Sequence, residues 1–426
     1  ELDRASGLDG GDWVTFTESN GLGRGAVSAL AASGDTVWAA TISDTTITGL
    51  GQHQVGTGLS YSIDAGASWR QVSNEALFDT SLDEFSMGPF TPIDNGCFGL
   101  DFVGDTVWAA FFSGSLVRSP DGGQTWERVL PGGGAEIYYQ EDETGADVVE
   151  ARADSLQRAD AATDLVDRMR VEADSLRSLH LLHRSFEVLA YGDTVWVGTS
   201  SGIARSFDAG ETWRNHKVRL DRDENLLPGH LSGNWVVTLE RQVTASGQSV
   251  IWAGTRVTDE PAFGQANAVS FSIDNGESWQ SGGPTYAWGF AFTENAVWAG
   301  TERGLWASFD NGETWVEIAV EDITTRELLR GTFVGMVGIE EILWVGSEVG
   351  LGRTTDEGVT WRIVKSPIKT LALDTGQFVG NANLLDTLHT LQGRVRSYAA
   401  PNPFAPSQGE LARINYSIEA PAQVSI

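Results

Sequence analysis

The chain has 426 residues, and its 58 acidic side chains against 28 lysines and arginines give a formal net charge of −30. A field of this sign repels phosphate groups, which argues against nucleic acid and against a polyanionic membrane surface as partners. Cys97 is the only cysteine, which excludes an intrachain disulfide, and no stretch reaches the roughly 18 consecutive apolar residues of a membrane-spanning helix.

Short strands separated by turns are predicted along most of the chain. The first strand covers 12–16, which reads Asp-Trp-Val-Thr-Phe. Six apolar strands, each centred on a tryptophan, follow at Trp38, Trp108, Trp196, Trp252, Trp298 and Trp344. Downstream of each strand lies an eight-residue sequence, Ser/Thr-x-Asp-x-Gly-x-Ser/Thr-Trp, which we name the turn motif. It occupies residues 62–69, 119–126, 206–213, 272–279, 308–315 and 354–361.

A unit of ~40 residues with several short strands is typical of a β-propeller, in which one blade cannot bury its faces alone. In the fifth repeat the four strands are predicted at 287–293, 296–301, 304–308 and 315–318. After the last motif, 368–373, 377–381 and 384–388 align with the first three strands of a further blade. The strand 12–16 would supply its fourth strand and close the ring without an exposed edge. We therefore predict an all-β, seven-bladed propeller over 12–392, with six blades as the alternative.

Two segments depart from this plan. Residues 145–187 lose the strand alternation and predict an α-helical insertion, because apolar side chains recur at helical spacings at Leu165, Met169, Leu176, Leu179 and Leu182. The tail, 394–426, contains Pro401-Asn402-Pro403-Phe404 and then the alternating run 412–418. It predicts a proline-rich linker that enters the first strands of a further domain.

The turn motif resembles the Asp-box, or BNR repeat, of sialidases, xyloglucan-degrading glycosidases, sortilin-type receptors and photosystem-assembly propellers. The resemblance covers residues 12–390 and implies the propeller fold, but no single activity. Side chains of Asp and Ser/Thr can bond the amides of their own turn, and Gly permits a positive φ. A structural role, rather than catalysis or calcium binding, is therefore expected for Asp64, Asp121, Asp208, Asp274, Asp310 and Asp356.

The tail resembles the opening of the immunoglobulin-like domain at the C-terminus of secreted bacterial proteins, including the sorting modules of type IX secretion and the flagellar-hook-cap type. This resemblance implies export and a secreted or cell-surface location. About two strands cannot bury a core by themselves. Either the rest of that domain is absent from this sequence, or the strands complete the sheet of a partner.

Connection lengths distinguish the two ends of the predicted propeller. Turns between strands 1 and 2 and between strands 3 and 4 share one end, here named the motif face, and all are short. Turns between strands 2 and 3 and connections from strand 4 to the next blade share the other end, named the elaborated face. Every long insertion predicted belongs to that second set: 43–57, 71–95, 130–185, 215–231 and 257–267. Long loops on a rigid scaffold are where recognition usually occurs.

Residues that open the inner strands should ring a central funnel on the elaborated face. They are Arg24, Phe98, Arg184, Asn234, Trp235, Tyr286, Trp288, Thr332 and Lys369. Aromatic rings with Arg and Asn could stack on sugars or hold a peptide. The alternative is that Trp235 and Trp288 fill the channel and bind nothing.

No catalytic, metal or cofactor site is predicted. Asp83-Glu84 and Asp259-Glu260 are adjacent acids in loops, and His180 and His183 lack further metal ligands nearby. The sequence therefore favours a secreted or cell-surface, non-catalytic module that binds a protein or a glycan within an extracellular assembly. The alternative is a glycoside hydrolase of the Asp-box type, which would need two carboxylates about 5 to 10 Å apart in an open funnel.

Overall fold

The computed structural model describes residues 14–16, 18–47, 51–72, 77, 96–112, 114–129, 131, 150–158, 165–166, 184–219, 226–258, 264–347, 349–365, 378–380 and 395–397. After strand β1 (Val14–Phe16) and a short 3-10 turn at Glu18–Asn20, these residues build six antiparallel sheets that each contain four consecutive strands, and the first sheet has a fifth strand from later in the chain. Each sheet is one blade, and its first strand is the inner strand of a six-bladed β-propeller.

The strand bounds repeat from blade to blade. Blade 1 comprises β2 (Ala26–Ser33), β3 (Thr36–Ile47), β4 (Gly51–Ser62) and β5 (Arg70–Val72). Blade 2 comprises β6 (Cys97–Val103), β7 (Thr106–Phe111), β8 (Ser115–Ser119) and β9 (Glu127–Val129). Blade 3 comprises β10 (Ser185–Tyr191), β11 (Thr194–Thr199), β12 (Gly202–Ser206) and β13 (Arg214–His216).

The second half of the ring has the same plan. Blade 4 comprises β14 (Trp235–Val243), β15 (Ser249–Arg256), β16 (Ala268–Ser272) and β17 (Gln280–Gly282). Blade 5 comprises β18 (Ala287–Phe292), β19 (Val297–Thr301), β20 (Gly304–Ser308) and β21 (Val316–Ile318), close to the bounds predicted for it. Blade 6 comprises β22 (Phe333–Ile339), β23 (Ile342–Ser347), β24 (Gly350–Thr354) and β25 (Arg362–Lys365).

The prediction of seven blades is wrong. The N-terminal strand does pair near the other end of the chain, but β1 pairs directly with β26 (Phe378–Gly380), from Val14 opposite Gly380 to Phe16 opposite Phe378. The prediction was that 12–16 completes a seventh blade as its fourth strand, together with 368–373, 377–381 and 384–388. Of these, 368–373 and 384–388 lie outside the described residues. What the described residues form here is a two-stranded sheet rather than a blade.

Side-chain packing shows why the ring closes at six. One buried cluster holds Leu30, Ala39 and Trp69 of blade 1 together with Trp344 and Leu351 of blade 6. The first and last blades therefore share a core, as consecutive blades do elsewhere in the ring. A last strand, β27 (Val395–Ser397), pairs with the free edge of β2 and contacts β22, so it lies at the junction where the ring closes.

Part of the predicted helical insertion is described. Residues 150–158 are helical and turn Ala153 into the protein, where it is fully buried. Residues 165–166 are also helical, with Val166 buried and Leu165 exposed. The other predicted helical positions, from Met169 to Leu182, lie outside the described residues. No helix in the described part of the chain is long and apolar enough to cross a bilayer.

The strand tryptophans join consecutive blades. All six are at most 5% exposed, and each of the first five lies beneath the glycine of the turn motif in the next blade. A Cβ added at Gly312 would lie 2.7 Å from the Trp252 ring, and one at Gly358 would lie 2.7 Å from the Trp298 ring. These glycines also adopt a positive φ, so any larger residue would be strained as well as obstructed.

Candidate functional site

Both side-chain oxygens of each turn-motif aspartate accept hydrogen bonds from other residues of the same turn. In the first motif, Asp64 accepts hydrogen bonds from the Ser62 hydroxyl at 2.7 Å and from the Ser68 amide and hydroxyl at 2.8 and 2.6 Å. The Ser62 hydroxyl oxygen in turn accepts from the Gly66 amide at 2.8 Å. The same contacts recur at Asp121, Asp208, Asp274, Asp310 and Asp356.

These contacts stabilise the ionised form of the aspartates. Hydrogen bonds from the Thr212 hydroxyl, the Ser206 hydroxyl and the Thr212 amide lower the pKa of Asp208 to about 2. The carboxylates are therefore charged acceptors that hold the turn, and their oxygens are occupied. Within the described ranges, no group of three or more His, Cys, Asp or Glu side chains is arranged to hold a metal ion.

A β-bulge at the start of every inner strand fills the mouth of the central channel. The register between the first and second strands shifts at the same position in all six blades. Each inner strand therefore has one extra residue at this point, and the bulge changes the direction of its side chain. These bulge residues are at most 7% exposed, and they are Ser28, Phe98, Phe186, Val237, Trp288 and Val334. One cluster joins Val237, Trp288 and Val334 to buried residues of blades 1 and 2, so it lies where the inner strands converge.

The predicted aromatic funnel residues belong to this packing. Trp288 is buried, and the Arg256 guanidinium lies 4.9 Å from its ring centroid and 5.1 Å from that of Tyr286. Trp235 is partly exposed and lies 5.5 Å from the Phe186 ring. Arg256 was not predicted from the sequence. At the end of β15, the Arg256 guanidinium donates a 2.8 Å hydrogen bond to the carbonyl oxygen of Ala287 in the next blade.

The polar funnel residues bond to the chain itself. The Asn234 side-chain oxygen accepts from the Val218 amide at 2.8 Å, and the Asn234 amide donates to the Gln265 side-chain oxygen at 3.0 Å. The Arg184 guanidinium lies 5.5 Å from the Phe112 ring, and exposed Arg24 donates to the Thr45 hydroxyl at 3.4 Å. Lys369 lies outside the described residues. The structure thus brings Tyr286 and Trp288 together around Arg256, but these residues form no open funnel.

An open pocket of about 280 Å³ lies instead between blades 5 and 6 on the elaborated face. The strand 2–3 turn at Glu302 and Arg303 forms one wall, and the connection 319–332 forms the other. The connection 319–332 was not among the long insertions predicted from the sequence, so a site here was not expected. The lining residues are Glu302, Arg303, Gly304, Leu305, Glu317, Ile318, Ala319, Val320, Leu328, Leu329, Arg330, Gly331 and Phe333.

The pocket combines both charges with an apolar floor. Arg303, Arg330 and Glu317 are exposed, whereas Leu305 and Leu329 are buried beneath them. Gly304 lets the Glu317 carboxylate cover the turn, because a Cβ at this glycine would lie 3.2 Å from the carboxylate oxygen. Such a site can hold an apolar group while its rim pairs with charges of either sign.

Asp322 fixes the shape of this connection. One of its side-chain oxygens accepts from the Thr324 and Thr325 amides at 2.9 and 2.7 Å, and the other accepts from the Ile363 amide of β25 at 2.8 Å. Burial raises its pKa, but these backbone hydrogen bonds outweigh that effect and the net pKa is lowered. The pocket wall is therefore held in place before any ligand arrives, which reduces the entropy cost of binding.

The most strongly perturbed acids lie inside the ring, on adjacent inner strands. Burial, and then the nearby negative charge of Glu240, raise the pKa of Glu187 well above its ordinary value. Burial raises the pKa of Glu240 to about 8. Glu187 is only 3% exposed, so it offers no accessible carboxylate to a substrate. The acid pairs considered for catalysis, Asp83-Glu84 and Asp259-Glu260, and the histidines His180 and His183 lie outside the described residues.

No protein-family model matches the chain, and no curated protein matches it in sequence. Solved structures with a similar fold include a YCF48 protein bound to a D1 peptide, at 14% identity over 83% of this chain and 86% of the other, with a TM-score of 0.45. The likeness is one of fold. A xyloglucanase of family GH74 from Xanthomonas campestris is 15% identical over 83% of this chain and 47% of its own length, with a TM-score of 0.43.

A third similar structure is PorZ of Porphyromonas gingivalis, described as an essential surface component of the type-IX secretion system. It is 12% identical over 88% of this chain, which spans 46% of its length, with a TM-score of 0.44. The three structures are a peptide complex, a xyloglucanase and a secretion component, and none of them assigns an activity to this chain.

Proposed function

We propose that the chain is a secreted or cell-surface propeller that binds a protein or a glycan through its elaborated face and performs no catalysis. The observation that carries the proposal is the pocket between blades 5 and 6. Its wall is held by Asp322, and its rim presents Arg303, Arg330 and Glu317 above an apolar floor. A preformed, partly apolar concavity with a few fixed charges is the usual form of a binding site.

The filled channel supports binding rather than hydrolysis. In a glycosidase that acts at the centre of a propeller, two carboxylates must reach a sugar. Here bulge residues such as Phe98 and Trp288 occupy the mouth of the channel, and Glu187 is buried. The hydrolase alternative therefore depends on residues outside the described part of the chain.

Two finer assignments belong to the same proposal. The turn motif is interpreted as an Asp-box because its Ser, Asp, Gly and Ser/Thr positions make the same hydrogen bonds in all six blades. The tail 394–426 is interpreted as the opening of an immunoglobulin-like sorting domain of the type IX or hook-cap type. On that interpretation the chain is exported and takes part in an extracellular assembly.

The test is a ligand screen followed by paired variants. The purified chain is screened against arrayed glycans and defined peptides, and the affinity of the best ligand is measured by titration. The double variant Arg303→Ala/Arg330→Ala should weaken binding at least about tenfold. The control variant Arg70→Ala/Arg214→Ala removes two exposed arginines away from the pocket and should bind as the parent does.

Two results would contradict the proposal. One is equal weakening in both double variants, because the affinity would then reflect overall charge rather than the pocket. The other is the release of new reducing ends from xyloglucan or another polysaccharide in proportion to the amount of chain added. That outcome would identify the chain as a glycoside hydrolase.

A further inference from the structure

The second position of the turn motif carries an exposed apolar side chain in most blades. Ile63 is 61% exposed, Phe207 51%, Ile273 47% and Phe309 54%. Pro120 occupies the position in blade 2 and is also exposed. In blade 6 the position is Thr355, but Val359 of the same motif is 79% exposed. Every blade therefore presents at least one apolar group on the motif face.

The fold of the turn does not require these side chains. Its hydrogen bonds use the first, third, fifth and seventh motif positions, and Thr355 shows that a polar residue is compatible with the same turn. Single exposed apolar residues are common on protein surfaces. Recurrence at one position, on the same face of successive blades, is a pattern that random exposure does not explain.

The same face is strongly acidic. The six turn motifs and the six strand 1–2 turns together contain sixteen aspartates and glutamates and no lysine or arginine. The strand 1–2 turns included in this count are residues 33–36, 103–106, 191–194, 243–249, 292–297 and 339–342. The ionised motif aspartates are already held by their own turns, but they keep their charge, so the field of the face stays negative.

Three of the arginines that flank the motif face are paired with acids. Arg205 lies 3.1 Å from a Glu277 carboxylate oxygen, and Arg214 lies 2.8 Å from the same oxygen. Arg118 lies 2.5 Å from Glu127. The elaborated face differs, because the pocket there mixes Arg303 and Arg330 with Glu302 and Glu317.

We propose that the motif face is a second docking surface, for a protein whose contact region combines lysine or arginine with apolar side chains. Charge complementarity selects this occupant. A second copy of the chain would bring a net charge of −30 against another −30, and an anionic membrane would also be repelled. The apolar side chains of successive blades act as separated anchors, and the surrounding acids orient the basic partner.

The proposal is independent of the pocket on the elaborated face. The motif-face variant is Ile63→Ser/Phe207→Ser/Ile273→Ser/Phe309→Ser. The matched control is Leu165→Ser/Leu227→Ser/Ile323→Ser/Val349→Ser, which removes exposed apolar side chains belonging to connections of the elaborated face. All eight side chains are exposed, so both variants should fold, which circular dichroism and the melting temperature can verify.

The probe is a synthetic peptide of alternating leucine and lysine, compared with a serine–lysine and a leucine–glutamate peptide. The leucine–lysine peptide should bind the parent and the matched control equally, and the motif-face variant at least about tenfold more weakly. The serine–lysine peptide should bind the parent at least about tenfold more weakly than the leucine–lysine peptide. The leucine–glutamate peptide should not bind.

A charge variant provides a second, independent readout. Glu211→Gln/Glu313→Gln keeps the apolar anchors and should weaken binding of the leucine–lysine peptide, with a smaller dependence on salt. Loss of binding in the matched control, or undiminished binding in the motif-face variant, would overturn the proposal. So would absence of binding to the parent, equal binding of the serine–lysine peptide, or binding to vesicles of phosphatidylglycerol and phosphatidylcholine, which would indicate a membrane.

Discussion

Glu240 makes the stability of the propeller depend on pH in a predictable direction. Burial on the inner strand β14 raises its pKa from 4.5 to about 8. Between these values the folded chain binds more protons than the unfolded chain. The contribution of Glu240 is therefore most favourable below about pH 4.5 and is lost as the pH rises towards 8.

The size of the effect follows from the shift. A change from 4.5 to about 8 corresponds to at most about 5 kcal/mol between the two ends of this range. Because the side chain is only partly buried, water screens its charge, and we expect about 2–3 kcal/mol. Glu240→Gln removes the titration, so it should leave stability nearly unchanged at pH 5 and raise it by about 2–3 kcal/mol at pH 8.

Denaturant unfolding of both proteins at several pH values between 5 and 8 measures this directly. The control is Glu313→Gln, which makes the same substitution at an exposed position of a turn motif. Parallel stability curves for the parent and Glu240→Gln would refute the reasoning, because they would mean that Glu240 is ionised in the folded state at neutral pH.

Two further predictions concern the turn motif. Gly312→Ala should destabilise the chain by about 2–4 kcal/mol, because the new Cβ would enter the Trp252 ring at a positive φ. Gly247→Ala has a similar φ but open space, so thermal unfolding should show a loss of only about 1 kcal/mol, and equal losses would contradict the packing argument. Asp208→Ala should destabilise the chain at neutral pH, and the penalty should shrink as the pH falls from 3.8 towards 2, since the lowered pKa stabilises only the ionised form. Denaturation of Asp208→Ala and the parent at pH 7 and at pH 2 tests this, and a penalty that persists at pH 2 would show that charge is not the cause.

The sequence predicted the strands within a blade better than it predicted the number of blades. The strands of blade 5 agree closely with expectation because small and large apolar residues alternate between clear turns. The blade count failed at 12–16, because a three-residue strand such as β1 has too few side chains to distinguish a fourth strand from a partner in a separate pair. The buried cluster that contains both Trp344 and Trp69 is built from side chains distant in sequence, which the repeat pattern does not encode.

The site was harder to predict than the fold. Asn234 and Trp288 have the residue types of a binding site, but their contacts lie within the chain, and residue type alone cannot distinguish the two roles. The bulges break the alternation on which strand prediction depends. A signal was present, since Phe98, Trp288 and Val334 each precede a glycine. For the pocket wall, the sequence contained only a weaker indication of an ordered turn. This indication is Asp322, whose side chain can accept hydrogen bonds from the amides of Thr324 and Thr325.

Hydrogen exchange of the chain with and without the best ligand of the screen tests the central claim most directly. Binding at the elaborated face predicts slower exchange for the amides of Glu302, Arg303 and 328–332, with unchanged exchange in the inner strands β14 and β18. Protection along the inner strands, with none around the pocket, would place the ligand in the channel and contradict the account.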